Sequence, residues 1–345
     1  MKLYRVDINN QGQRLNKYLC RILSAAPQSF VYKMLRKKNI TLNEKKADGS
    51  ELLKEGDEVR FFLSDETFDK FAGKPDKIIQ ASIKINPIEA ERIVYEDENV
   101  LICHKKVGEL SQKAGKDDIS INERMLEYLK ENGDEGKKVD FTPGVVNRLD
   151  RNTDGLIVMG KNLHATAVLS KAFAGHELEK YYLAAVKGKF DKEKEGRICL
   201  YLKKDSNDNF SEVFESEVPE SVKAESEIVL IGTNGEYSLV KVRLLTGKSH
   251  QIRATLKYLG CPIVGDPKYG DPKDNRINRE KYGIKFQLLT AYELKFPENF
   301  TELPLLSGKS ITTRLADKFE LFLNDNKMEN TNNGMENQGP QRFLP

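Results

Sequence analysis

An α+β fold in two parts, a small basic module followed by a larger domain on a mixed, mainly antiparallel sheet, is predicted by three features of this 345-residue sequence. Positive charge is concentrated at the front. Two short amphipathic helical patterns lie side by side there, and further on strand-like runs cluster without strict strand-helix alternation. The length suits two domains.

The charge balance of 56 basic against 53 acidic residues hides an asymmetry. Through Ser64 there are thirteen Lys or Arg and seven Asp or Glu, and the remainder holds 43 against 46. A compact basic segment suits a polyanionic partner, because phosphate contacts release counterions. In the first helical pattern Leu15, Tyr18, Leu19, Ile22 and Leu23 share one face, and in the second Val31, Met34 and Leu35 do. The outward positions Arg14, Lys17, Arg21, Lys33, Arg36, Lys37 and Lys38 form the expected charged surface for such a partner. A strand Ile40–Leu42, a turn at Asn43–Glu44 and a strand Val59–Leu63 complete a module over 1–64.

Residues 65–90 mix charge with Gly73, Pro75 and Pro87 and are expected to form a linker. The main domain is expected over 91–325. Its strands are read at Arg92–Tyr95, Val100–Cys103, Leu156–Met159, Tyr181–Val186, Ile198–Leu202, Glu227–Ile231 and Tyr237–Leu245. Its helices are read near Ile121–Glu131, Leu163–Ala174, Ile252–Leu259 and Ile311–Leu323. From 326 to 345 no core-forming pattern remains, and a disordered tail is expected.

The first residues lack a signal-peptide core, and no run reaches the roughly 18 apolar residues of a membrane span, so a cytoplasmic protein without membrane contact is expected. Cys20, Cys103, Cys199 and Cys261 lie far apart with no His at ligand spacing, which supports neither disulfides nor a metal site.

The segment Gly144–Asn162, GVVNRLDRNTDGLIVMGKN, admits three readings. As a calcium loop, Asp150, Asn152, Asp154 and Gly155 fit, but Lys161 stands where a bidentate Glu closes the shell. As a phosphate loop, Gly155–Asn162 lacks the magnesium-binding hydroxyl and carries apolar, strand-forming residues in place of free amides. As a polar turn before a buried strand, it presents Asp150 between Arg148 and Arg151, where guanidinium groups favour the ionised form a nucleophile or base requires. Taken alone, this third reading is also that of an ordinary turn with a surface ion pair.

Two family resemblances sharpen this. RLNKYL, MLRKKNITLN and LKEGDEV, within Gln13–Leu63, resemble the α-L RNA-binding module of a ribosomal small-subunit protein and of many RNA-modifying enzymes. NRLDRNTDGLIVMGKN resembles the catalytic motif of RluA-type pseudouridine synthases, H-R-L-D-x-x-T-S-G-L with a later A-K, and places Asp150 on its nucleophile. Arg148, Leu149, Thr153, Gly155, Leu156 and Lys161 match; Asn147, Asp154 and Gly160 depart from the usual His, Ser and Ala. KYYLAAVKG at Lys180–Gly188 is similar to the family's tyrosine strand and puts Tyr182 at its active-site position. The block from Leu245 to Gly270 is similar to G-R-T-H-Q-I-R followed by P-I-x-G-D-x-x-Y-G, with Ile252 and Arg253 in register. YEDENVLICHKKVG is similar to the start of such domains, with Lys105 in register and Lys106 in place of Pro.

The resemblance implies a pseudouridine synthase in which Asp150, Tyr182 and Arg253 act on a flipped uridine and Ile252, Arg148 and Leu149 shape the pocket. Metal and redox chemistry are not needed, so no cofactor is expected, and the chain is taken as a monomer. Ribosomal RNA is the leading substrate, with transfer RNA or a non-catalytic RNA-binding role as the alternatives. His250 reads as a loop anchor or RNA contact.

Overall fold

A computed structural model describes residues 2–6, 10–72, 85–115, 117–133, 141–205, 210–327 and 329–330. The chain divides into two compact units, Met1–Leu101 with Gly115–Val146 and Val158–Lys171, and Ile102–Ala114 with Asn147–Ile157 and Ala172 onward.

The first unit opens with β1 (Lys2–Arg5), α1 (Leu15–Ile22), α2 (Gln28–Arg36), β2 (Ile40–Leu42), β3 (Lys45–Lys46), β4 (Glu58–Phe61) and α3 (Asp65–Phe71). Leu15, Tyr18, Leu19 and Ile22 recur at helical spacing and are buried, as are Val31, Met34 and Leu35 of α2. They pack with Ile40, Val59 and Phe61 of the antiparallel sheet β1-β4-β2-β3. The expected linker is corrected here. Residues 65–71 are helix α3, capped by the Ser64 hydroxyl on Thr67 N–H, and Phe68 and Phe71 pack on the same core. The helix is only about two turns long and carries only these two anchors, so its periodicity does not stand out in the sequence. Positions 73–84 of that linker lie outside the described residues.

Farther along this unit come β5 (Ile93–Glu96), β6 (Val100–Lys105), α4 (Ile121–Glu131), β7 (Gly144–Val145), β8 (Asp154–Gly160) and α5 (Leu163–Ala174), of which β6, β8 and α5 extend past the unit's bounds. A Ser120/Glu123 capping box starts α4. Lys161 Nζ ties back to Glu96 at 2.9 Å and to the Asp97 carbonyl at 3.0 Å. Gly160 stands where a Cβ would meet Thr166 Oγ1 of α5, which accounts for its presence at a position usually Ala in the resembled motif.

The second unit adds β9 (Glu179–Lys187), β10 (Gly196–Lys204), β11 (Ser211–Phe214), β12 (Val222–Thr233), β13 (Tyr237–Leu244), α6 (Gln251–Tyr258), α7 (Pro272–Tyr282), β14 (Leu289–Lys295), β15 (Ser310–Thr312), α8 (Asp317–Asn326) and β16 (Glu329–Asn330). Its strands run β11-β10-β12-β13-β9-β14-β8. The β14–β8 pair is parallel, whereas β9 is antiparallel to both β13 and β14. Val240, Val242, Ile228 and Leu230 meet Ile252 and Leu256 of α6 in one core; Ala185, Val264 and Leu288 meet Phe319 and Phe322 of α8 in another. Gly155 (φ +117°) lets β8 approach β14: a Cβ there would lie 2.3 Å from the Ala291 carbonyl oxygen.

Several expectations change. The helix read at Ile311–Leu323 is strand β15 followed by α8, because Ile311 pairs with Leu294 while Phe319 and Phe322 supply the helical anchors. Asn326 closes α8 and β16 pairs with β12, so the first residues of the tail expected from 326 are in regular structure; positions 331–345 lie outside the described residues. Helix α7 carried no apolar stripe. Its Asp271 cap, Pro272 at the first position and left-handed Gly283 marked both ends nonetheless. Among the described residues no helix is long and apolar enough to cross a membrane.

Candidate active site

A cleft of about 840 Å³ in the second unit is lined by residues from segments distant in sequence. Asp150 enters from the turn before β8, Tyr182 from β9, Ile252 and Arg253 from the first turn of α6, and Leu289 from the start of β14. Arg148 and Leu149 line it as well.

Arg253 Nη1 donates to Asp150 Oδ2 at 3.1 Å. The rest of that guanidinium is held from behind: Nε and Nη2 donate to Asp266 Oδ2 and Oδ1 at 2.7 and 2.9 Å. Asp266 is fully buried and also accepts the backbone N–H groups of Lys268 and Tyr269, each at 2.9 Å. A two-point fork fixes the guanidinium plane in a way a lysine could not. Burial opposes charge on both groups, yet their pairing outweighs it, raising Arg253 and lowering Asp266. Asp266 lies within the block similar to the family, but its neighbours in sequence give no sign of its partner.

The guanidinium beside Asp150 is therefore that of Arg253, in place of the flanking pair Arg148 and Arg151 expected from the turn. Arg151 Nε instead donates to the Gly108 carbonyl at 3.0 Å, and Arg148 is exposed at the cleft.

Segment 105–111 cradles the turn. Lys105 is fully buried, and its ammonium donates to the carbonyls of Arg151, Glu109 and Lys106 at 3.0, 2.9 and 3.2 Å. Ser111 Oγ donates to the Leu149 carbonyl at 2.9 Å and accepts Leu149 N–H at 3.0 Å. Asn147 donates to the Leu156 carbonyl at 3.0 Å, so the residue replacing the usual His ties the entry of the turn to β8. Asp154 sits buried just after the turn and accepts from Thr290 Oγ1 at 2.7 Å; burial pushes its carboxyl up to about 6.

His250 adopts a left-handed backbone (φ 56°) before α6. Its Nδ1 lies 3.1 Å from the Tyr269 hydroxyl and its Nε2 3.8 Å from Asp150 Oδ2, while burial lowers its basicity. Burial, then the charge of Asp150, holds the Tyr182 phenol far above its ordinary range, so Tyr182 is neutral at physiological pH.

Two family matches agree with this geometry. The RNA pseudouridylate synthase family matches residues 99–258, and the S4 domain family matches residues 13–59. An uncharacterized RNA pseudouridine synthase of Mycoplasma genitalium is 30% identical over 317 residues, covering 89% of this chain and 93% of its own. The chain belongs to the RNA pseudouridylate synthase family. Ribosomal large subunit pseudouridine synthase C of Rickettsia bellii is 33% identical over 274 residues, covering 76% of this synthase and 84% of that protein. The solved structure of human RNA Pseudouridylate Synthase Domain Containing 4 shares the fold at 20% identity, with a TM-score of 0.56, over 72% of this chain and 95% of that one. This synthase is thus an RluA-type RNA isomerase with an N-terminal S4 module.

In that module Arg14, Lys17, Lys33, Arg36, Lys37 and Lys38 are exposed. Arg21 differs from them: its guanidinium turns inward to Asn10 and Gln13 side chains, so it braces the module's first loop.

Proposed function

We propose that this synthase isomerises uridine in large-subunit ribosomal RNA, with Asp150 as the reacting carboxylate. The observation that carries the reading is the Asp266–Arg253–Asp150 chain, which holds one oxygen of a carboxylate that lines the cleft of about 840 Å³. The large-subunit assignment is drawn from relatives named as large-subunit synthases.

Asp150 either adds to the anomeric carbon or removes a ribose proton on the way to a glycal; one oriented, ionised carboxylate serves both routes. Arg253 orients it. Tyr182, neutral and walled by Leu289 and Ile252, stacks on the extruded base and keeps the detached ring from water. Unstacking a base costs a few kcal/mol, which the exposed cations Arg14, Lys17, Lys33, Arg36, Lys37 and Lys38 offset through phosphate contacts.

Mapping pseudouridines in total RNA from cells with and without the gene tests this. Loss at a large-subunit position is expected; loss confined to transfer RNA, or no loss, would reject it.

A further inference from the structure

We propose that Gln287 binds the substrate, its side-chain oxygen accepting the N3–H of the target uracil and holding the ring on the axis about which it turns. This rests on the reading that the cleft takes an extruded uridine.

Gln287 stands two residues before β14, is 2% exposed, and lines the cleft with Thr153, Tyr182 and Leu289. Its Nε2 donates to Thr153 Oγ1 at 3.2 Å. Its Oε1 is buried and accepts no hydrogen bond from any described residue. A buried amide oxygen in that condition is a destabilising feature that folds rarely keep unless something else supplies a donor. Thr153 belongs to the Asp150 turn, its N–H bonded to the Asp150 carbonyl at 3.0 Å, so in the free protein the amide is held beside Asp150.

The chemistry of the ring identifies the donor. Uracil carries one N–H on its Watson–Crick edge, at N3 between two carbonyls. Isomerisation breaks the bond from C1′ to N1 and forms one from C1′ to C5; C5 gives up its proton and N1 ends protonated. A half-turn about the line through N3 and C6 exchanges N1 with C5 and swaps the two carbonyls. It leaves N3–H in place. An acceptor on that line keeps its hydrogen bond while the ring is detached, whereas a contact to either carbonyl must break. Bringing Oε1 to the cleft takes rotation about the last side-chain bond of Gln287, a broad torsion with low cost, and releases the long Nε2 contact to Thr153 Oγ1 at 3.2 Å.

The test uses the full-length protein and ribosomal RNA labelled with [5-³H]uridine from cells lacking the gene, reading tritium release in single turnover. Gln287→Met keeps the length and removes the acceptor. It is expected to slow release about 30-fold, the scale of one lost buried hydrogen bond, with RNA affinity within about twofold of wild type. Thr153→Val, which removes only the internal partner, is expected to cost less than about fivefold. Should Gln287→Met melt early, Gln287→Ala is held to the same criteria. A Gln287 variant within about threefold of wild type overturns the proposal, as does a Thr153→Val loss equal to it, since the amide would then act only by holding the turn. Wild-type protein that releases no tritium from this RNA rejects the function instead.

Discussion

Arg253 and Asp150, 103 residues apart in sequence, meet at 3.1 Å, while Asp266 grips the other edge of the guanidinium. The Asp150 carboxylate is thereby oriented by a group that is itself oriented, with the outer anchor fully buried.

Asp150→Asn is expected to abolish pseudouridine formation while leaving the melting temperature within a few degrees of wild type. The side chain is half-buried, and Arg253 keeps its pairing to Asp266, so no buried cation is stranded. Tritium release and thermal melting measure the two halves; measurable turnover would remove Asp150 from the reaction.

Asp266→Asn breaks a buried fork and is expected to destabilise the protein by about 3 kcal/mol and slow turnover about 100-fold. Because Arg253 lowers the folded-state value of Asp266, the stabilisation is complete above the unfolded value near pH 4 and is lost as pH falls through the lower folded value. Denaturant melts at pH 7 and pH 3 check this, and equal gaps between wild type and variant at both would contradict it.

Asp154 has the opposite sign. Its carboxyl is raised to about 6 by burial, so wild type gives up stability as pH rises from about 4 to 6, and the penalty persists above. Asp154→Ser is expected to be the more stable protein at pH 7.5, by about 1–3 kcal/mol, with the advantage shrinking toward pH 4. A variant that is less stable than wild type at pH 7.5 would show that Thr290 and Lys105 repay the burial of this charge.

Lys17, Lys33 and Lys37 are exposed, and replacing all three with Gln is expected to lower RNA affinity and reduce the salt slope of binding by about 2–3. Arg21→Gln is expected to act through melting temperature, since its guanidinium serves the loop at Asn10 and Gln13. Filter binding across salt concentrations separates them, and an unchanged slope in the triple variant would move the RNA surface elsewhere.

Much of the fold was legible where periodicity and packing coincide. Leu15, Tyr18, Leu19 and Ile22 announced α1, and the helices at Ile121–Glu131 and Leu163–Ala174 have the bounds their patterns gave. Helix α7 was not, because it buries Asp274 and Asn278 against the Tyr237 hydroxyl and so shows no apolar stripe. Helix α3 was lost in an expected linker because Phe68 and Phe71 alone marked its inner face.

The candidate site divides in the same way. Local sequence determined which residues could react: the turn holding Asp150, the strand carrying Tyr182 and the helix start bearing Ile252 and Arg253. The family resemblance already offered Arg253 as a partner for Asp150 beside the flanking Arg148 and Arg151; tertiary structure decided for Arg253 and supplied the supports behind it, Asp266 and Lys105. Side-chain chemistry is a local property of the chain, whereas an ion pair depends on distance in space, and that distance is set by how β9, β14 and β8 align beside α6.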